Sequence, residues 1–414
     1  MNMNVMSPWL YRWSIVWAGL ALLIPGLAAD TSDQALNKPP RPSIYPNVEV
    51  QDVKSLDVYV DHATLHVLIA GQVPDDSKLV LKYLRSDDSG KTWSAPVPID
   101  SHAAPPGRAV RGNDVQIAAA GDRLIAVWHT AGAGYMGSGP LVTAISEDGG
   151  KTWRTGPNPA DDQRQDGHSY IDIKADPQET FHLVWLDNRG DRKGVQGLRY
   201  ARSTDGGQSW SRNATVDGDT CTCCWNNLAT SSDGAVHILY RDAFPRDMAL
   251  ARSKDGGKRW ELRGAVDRFG WNFDGCPHMG GALVAVGDAR ARLHSLVWTG
   301  RETHAGLYYV RSADGGKRWT KPRRLGDPLA GHSDITGQDE THLAAVWDTA
   351  MPEGSVIFVA ESTDGGTTWA MPRPLSKPGV SATHPRVVAI PAGYLAFWTE
   401  RTGEKPNVLA VTFF

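Results

Sequence analysis

The chain has 414 residues, 41% of them hydrophobic, with 16 tryptophans and a formal net charge of −3. A chain of that make-up can bury a large core as one repetitive domain, and no linker of disordered composition divides it. Charges are spread evenly with no basic stripe or Lys/Arg run, so nucleic acid and anionic membranes are poor partners. The first 29 residues stand apart from the rest. Arg12 precedes an apolar stretch from Ser14 to Leu27, and Gly26, Ala28 and Ala29 offer a cleavage site before Asp30, which reads as a signal peptide over 1–29. An apolar run of about 14 residues is short for an uncleaved anchor, and the lack of a cysteine after it argues against a lipoprotein. Residues 30–42 read as a polar, Pro-rich, mobile leader. The expected location is therefore periplasmic or secreted, with no membrane association after cleavage.

From there on, one pattern, Ser-x-Asp-x-Gly-x-x-Trp, recurs six times: Ser86/Asp88/Gly90/Trp93, Ser146/Asp148/Gly150/Trp153, Ser203/Asp205/Gly207/Trp210, Ser253/Asp255/Gly257/Trp260, Ser312/Asp314/Gly316/Trp319 and Ser362/Asp364/Gly366/Trp369. Successive copies start 60, 57, 50, 59 and 50 residues apart, too long for a helical solenoid repeat and right for a four-stranded propeller blade. In each copy Gly supplies the positive φ of a tight turn, Asp and Ser accept turn N–H groups, and Trp folds back over the hairpin. The stretches lack the alternating oxygen ligands and late Glu of a calcium loop, so calcium is not expected there. A second pattern keeps step: a hydrophobic strand ending in an aromatic, at Ile125 to Trp128, Leu183 to Trp185, Ile238 to Tyr240, Leu296 to Trp298, Ala344 to Trp347 and Leu395 to Trp398, with Leu65 to Ala70 a degenerate first copy. Seven second strands against six boxes predict seven blades, the last closed by an outer strand from Ser43 to Val50. The expected fold is an all-β propeller of four-stranded antiparallel blades over 43–414, with six blades as the alternative. A closed ring leaves no edge to cover, so a monomer is expected.

The blade pattern requires none of the four cysteines. Cys221, Cys223 and Cys224 fall in the loop from the outer strand of blade three to the inner strand of blade four, and Cys276 falls in the equivalent loop one blade later. Such loops crowd one mouth of the channel, so the two groups are expected to be neighbours. Exported cysteines are usually oxidised. A Cys223–Cys224 bond would join Cα atoms about 3.8 Å apart, against the normal range of about 4.4–6.8 Å. That leaves Cys221–Cys224 with Cys223–Cys276, or Cys221–Cys223 with Cys224–Cys276. The competing expectation is a soft-metal site of Cys221, Cys223, Cys224 and Cys276 with His278 and Met279 as auxiliaries, taking Cu(I) in preference to zinc. His168, His332 and His384 fall in equivalent mouth loops. Trp225, Trp271, Phe244 and Phe269 offer a surface for a protein partner, although at least two are expected to pack. Ion pairs are expected for Asp187 with Arg189 and Arg241 with Asp242, and Met248 is expected either to cap the mouth or to pack.

The Ser-x-Asp-x-Gly-x-x-Trp repeat resembles the Asp box, or BNR repeat, of the sialidase-like β-propeller superfamily, from about residue 45 to the end. That resemblance implies a glycosidase alternative. Sialidases use a Tyr nucleophile, paired with a Glu, three Arg that grip a substrate carboxylate, and an Asp acid/base. The matching mouth-facing residues are Arg111, Arg241 and Arg386, Tyr240 or Tyr308, and Asp114 or Asp166; the superfamily's Arg-Ile-Pro signature is not recovered. The function expected is thus an exported binding protein with a Cys-rich mouth, serving copper binding or thiol redox. The alternatives are a sialidase-like exo-glycoside hydrolase acting on a glycan, which leaves enzymatic status open, and a non-catalytic protein-assembly scaffold.

Overall fold

The computed structural model describes residues 42–74, 78–107, 109–134, 137–164, 167–189, 196–287 and 292–414. The signal peptide expected over 1–29, and the leader up to residue 41, lie outside the described residues. Residues Pro40–Phe414 form one compact unit. It is all-β, with no α-helix among the described residues. No described helix is long and apolar enough to cross a membrane.

Seven antiparallel sheets follow one another along the chain. Blade 1 holds β1 (Asp52–Asp61), β2 (Thr64–Gln72), β3 (Leu79–Ser86) and β4 (Val97–Ile99). Blade 2 holds β5 (Gln116–Ala120), β6 (Arg123–Ala131), β7 (Ser138–Ser146) and β8 (Arg154–Gly156). Blade 3 holds β9 (Ser169–Ala175), β10 (Phe181–Asp187), β11 (Gln196–Ser203) and β12 (Ala214–Thr220). Blade 4 holds β13 (Asn227–Thr230), β14 (Val236–Arg241), β15 (Met248–Ser253) and β16 (Glu261–Ala265). Blade 5 holds β17 (Ala282–Val286), β18 (Arg292–Thr299), β19 (Gly306–Ser312) and β20 (Arg323–Gly326). Blade 6 holds β21 (Ala330–Gly337), β22 (Leu343–Thr349), β23 (Val356–Ser362) and β24 (Arg373–Pro374). Blade 7 holds β25 (Ser381–Ile390), β26 (Gly393–Arg401) and β27 (Val408–Phe413). Its outer position is filled by the N-terminal segment: Ile44 exchanges both backbone hydrogen bonds with Val411, at 2.8 and 3.0 Å. The ring is seven-bladed and closed by the predicted segment, although through one bridge rather than a full strand.

The boxes link the third and fourth strands of blades 1 to 6. In the box of blade 3, Ser203 Oγ donates to Asp205 Oδ1 at 2.7 Å and accepts Gly207 N–H at 2.8 Å, while both Asp205 oxygens accept from Ser209. The box carboxylates are therefore spent on the turn. The tryptophans reach further than their own hairpins. Trp153, Trp260 and Trp369 pack edge-on against Tyr83, Tyr200 and Tyr309 of the preceding blade, at 5.3, 5.0 and 4.9 Å between centroids. Each of these tyrosines bonds a buried histidine one strand inward: His66, His182 and His294, at 2.8, 2.6 and 2.6 Å. Edge-to-face aromatic pairs add about 0.5–1.5 kcal/mol each beyond burial, so the boxes also join blade to blade.

Around the channel the inner strands do not pair with one another, so their outward N–H groups need other acceptors. Acidic and amide side chains meet that need. Asp57, Asp172, Asn227 and Asp334 each accept the backbone N–H of the next blade's inner strand, from Ile117, Leu228, Leu283 and Val387, at 2.9, 2.6, 2.8 and 3.0 Å.

Candidate functional site

Because every inner strand starts at the same end of the channel, the crossings between blades converge on one mouth. Six crossings send a side chain to a single cavity of about 300 Å³. These are Arg111 before β5, Tyr170 at the start of β9, Trp225 before β13, His278 before β17, and His332 and His384 near the starts of β21 and β25. Three of them are re-aimed by interruptions of the ladder. Register slips fall at Tyr170 in β9, between Ala330 and Ser333 in β21, and between Thr383 and Arg386 in β25. Bulges bend a strand and turn a side chain toward a site. Tyr170, His278 and His384 also adopt positive φ, at 53°, 51° and 52°. For a non-glycine residue that costs about 1–3 kcal/mol and persists only where the surroundings enforce it.

One buried carboxylate orients two of the imidazoles. His332 Nδ1 lies 2.7 Å from Asp348 Oδ2, and the backbone N–H groups of His332 and His384 donate to the same carboxylate at 3.1 and 2.9 Å. Thr383 Oγ1 donates to Asp348 Oδ2 at 2.6 Å and receives His384 Nδ1 at 2.8 Å. The acceptors opposite them put a proton on both Nδ1 atoms. The His332 and His384 rings stack 3.3 Å apart, with Trp225 tilted 5.4 Å from His332. Burial, then the neighbouring His332, Arg111 and Arg386, push the His384 pKa far below its ordinary value, so its imidazole is neutral. A polar group behind Nδ1, here Asp348 for His332 and Thr383 for His384, is the usual support of a metal-ligating histidine.

The two cysteine loops meet, as their equivalence along the blades predicts. A disulfide joins Cys223 to Cys276 with Cα atoms 5.9 Å apart, and Cys223 lines the cavity. Cys221 and Cys224, both buried, bring their Sγ atoms within 2.7 Å, the partners of the first pairing read from the sequence. Met279 turns its methyl group toward Gly331 beside Asp348, and its carbonyl accepts Arg241 Nε at 2.8 Å. His168, in contrast, faces Gly139 O and Asp162 and is fully buried.

Of the residues matched to the sialidase pattern, Arg111, Asp114 and Arg386 line one small cavity together with His332 and His384, whereas Arg241, Tyr240 and Tyr308 do not line it. Arg241 spends its guanidinium on the carbonyls of Met279, Arg246 and Trp298, which also accounts for the missing ion pair with Asp242. Arg111 is tied to Asp114 at 2.9 Å and to the His384 carbonyl at 2.9 Å. Arg386 lies between Asp57 and Asp334, whose charges, with those of Asp114 and Asp172, raise its pKa against the effect of burial. Asp114 is already filled by Ser55, the Leu56 N–H, Arg111 and the Gly112 N–H. Tyr240 donates to Asp217 at 2.7 Å and is raised by burial and then by that charge; Tyr308 donates to His304 O and is stacked by Arg324. Asp166 lies outside the described residues. Asp187 does pair with Arg189, at 2.8 Å. Of the mouth aromatics, Phe269 and Trp271 pack at 7% and 8% exposure, Trp225 lines the cavity and Phe244 is 64% exposed. Met248 is fully buried and packs.

The BNR repeat-like domain family matches residues 57–261, within the six-box, seven-bladed ring. The chain is an Asp-box β-propeller similar to that family. Solved structures share the fold of this Asp-box propeller at low sequence identity. An ulvan lyase, described as a new family of polysaccharide lyase, is 11% identical with a TM-score of 0.62, covering 88% of this chain and 95% of its own. A protein of unknown function from Dyadobacter fermentans is 14% identical with a TM-score of 0.53, covering 89% and 96%. A mutant Trypanosoma rangeli sialidase displaying trans-sialidase activity is 13% identical with a TM-score of 0.50, covering 79% of the Asp-box propeller and 57% of the sialidase.

Proposed function

We propose that this propeller is a metal-binding protein whose ligands at the channel mouth are the imidazoles of His278, His332 and His384, backed by the sulfurs of Cys223 and Cys276. The observation that carries the reading is the meeting of three histidines and Cys223 from four separate crossings in one cavity, with Asp348 bonded to His332 Nδ1 and Thr383 to His384 Nδ1. Imidazoles with sulfur nearby suit copper, and Cu(I) more than zinc when thiolates or the Met279 thioether join. The exported setting expected from residues 1–29 agrees with copper handling. Competition against a chromophoric Cu(I) chelator tests this: the wild type takes one equivalent, and His332→Ala with His384→Ala removes it without loss of folded signal. Full retention by that double variant would overturn the reading.

A second reading, glycan recognition, is favoured by Trp225 and Arg111 sharing the same cavity wall, since an aromatic face and a guanidinium suit an anionic sugar. Turnover of a fluorogenic sialoside that Arg386→Ala abolishes, in a protein that takes up no copper, would transfer the site to this reading.

A further inference from the structure

The inner strands that send Tyr170, His332 and His384 to the mouth continue past it and carry Lys174, Asp334 and Arg386 deeper into the channel. There β1, β9, β13, β17, β21 and β25 surround a second cavity of about 370 Å³, whose wall also holds Asp57, Tyr59 and Asn227. The acceptors of this wall are spent. Asp57 Oδ2 takes the Ile117 N–H at 2.9 Å, and the two oxygens of Asp334 take those of Ile335 and Val387 at 2.9 and 3.0 Å. The donors are not spent. Arg386 Nη2 lies 3.7 Å from Asp57 Oδ1 and Lys174 Nζ lies 3.5 Å from Asp172 Oδ1, with side chains only 24% and 29% exposed. Neither cation is hydrogen-bonded to an acceptor among the described residues. The Tyr59 hydroxyl accepts the Ala175 N–H at 3.2 Å, and its own proton meets no acceptor in that set. Burial opposes the charge on Lys174, but Asp172 and Asp57 raise its pKa, so it faces the cavity as an ammonium. Buried charged donors need partners, and this wall supplies none.

We infer that this deeper cavity binds a small tetrahedral oxyanion of the sulfate or phosphate type, held by Arg386, Lys174, the Tyr59 hydroxyl and Asn227 Nδ2. The inner-strand clasps favour an anion. Asp57, Asp172 and Asp334 each take a backbone N–H of the next blade, and Asn227 does the same for Leu283 at 2.8 Å through Oδ1. An amide performs that backbone duty while putting N–H donors where the other three blades put a negative charge. The four donors come from β1, β9, β13 and β25, in blades 1, 3, 4 and 7. They therefore approach from around the channel axis rather than in one plane, which suits a tetrahedral acceptor better than the flat fork of a carboxylate. Asp57 and Asp334 balance the two cations, so hydrogen bonds rather than net charge supply the affinity. The inference is independent of the metal reading, whose ligands stand at the mouth.

The test uses metal-free full-length protein. Sodium sulfate is titrated by calorimetry against a chloride background that keeps ionic strength constant. The wild type should show saturable binding at one site, and acetate should bind more weakly. Asn227→Asp should abolish the sulfate signal; because Asp already fills the clasp in three other blades, this variant should keep the unfolding midpoint of the wild type. Lys174→Met should weaken sulfate about tenfold or more, as expected for losing a hydrogen bond from a charged group. Selenate, soaked into crystals and located at the selenium edge, should give a peak within hydrogen-bond distance of Lys174 Nζ and the Arg386 guanidinium. No saturable binding by the wild type, undiminished binding by Asn227→Asp, acetate as tight as sulfate, or selenate found only outside this cavity overturns the inference.

Discussion

The Asp boxes at the outer edge and the crossings at the mouth use carboxylates to opposite ends. At the edge, Asp205 closes its own turn through Ser203 and Ser209, and the same bonds recur in every box. At the mouth, Asp348 accepts from the His332 ring and from the His384 backbone, 16 and 36 residues away, and no other blade repeats the arrangement among the described residues. Side chains that recur and satisfy one another locally make the fold. Side chains that occur once, on bulged or left-handed backbone, and line the cavity make the proposed site.

The sharpest way to break that contrast is at the edge. Gly257 has φ +81°, and a Cβ there would lie 2.0 Å from Tyr200 Cε1. Gly257→Ala should cost about 3 kcal/mol in denaturant unfolding, from the left-handed backbone and the clash together, yet leave metal stoichiometry unchanged.

The buried histidines of the inter-blade triplets come next. Burial, then Arg85 for His66 and Arg311 for His294, hold both down to about 4, below the ordinary 6.5. The unfolded chain therefore binds protons that the fold does not, and stability is lost as pH falls from 6.5 to about 4. Each histidine should contribute about 1–3 kcal/mol to that loss. His294→Gln should flatten the pH dependence of the unfolding midpoint; an unchanged slope would remove the assignment.

At the mouth, Asp348→Asn keeps the shape but weakens the hold on His332 Nδ1. Copper affinity should fall about 10–100-fold, measured by chelator competition, with the unfolding midpoint moved far less than by Gly257→Ala. Last, Ser203→Ala removes the three turn bonds of its hydroxyl and should cost about 1 kcal/mol with no effect on binding.

Much of this was legible in the sequence because it repeats. Six boxes and seven second strands are enough to count the blades, and the phase of the blades puts Cys223 and Cys276 in adjacent crossings. The site was legible only as a neighbourhood. His332 and His384 could be placed in mouth loops, but the bulges that aim them leave no mark in residue type, and their orienting partner Asp348 sits on a second strand as one acidic residue among many. Nor does an arginine announce its partner: Arg241 is consumed by three carbonyls from two other segments and from its own hairpin, a fact of tertiary packing alone. The inner-strand clasps from Asp57, Asp172, Asn227 and Asp334 were missed for the same reason. A polar residue in an apolar strand signals a bond, not its acceptor or donor.

The most direct measurement is an anomalous difference map at the copper edge from crystals of the Cu(I)-loaded protein. One peak within coordination distance of His332 Nε2 and His384 Nε2, with His278 or a cysteine sulfur completing the sphere, is the predicted result. Bound copper located away from these imidazoles would contradict the account.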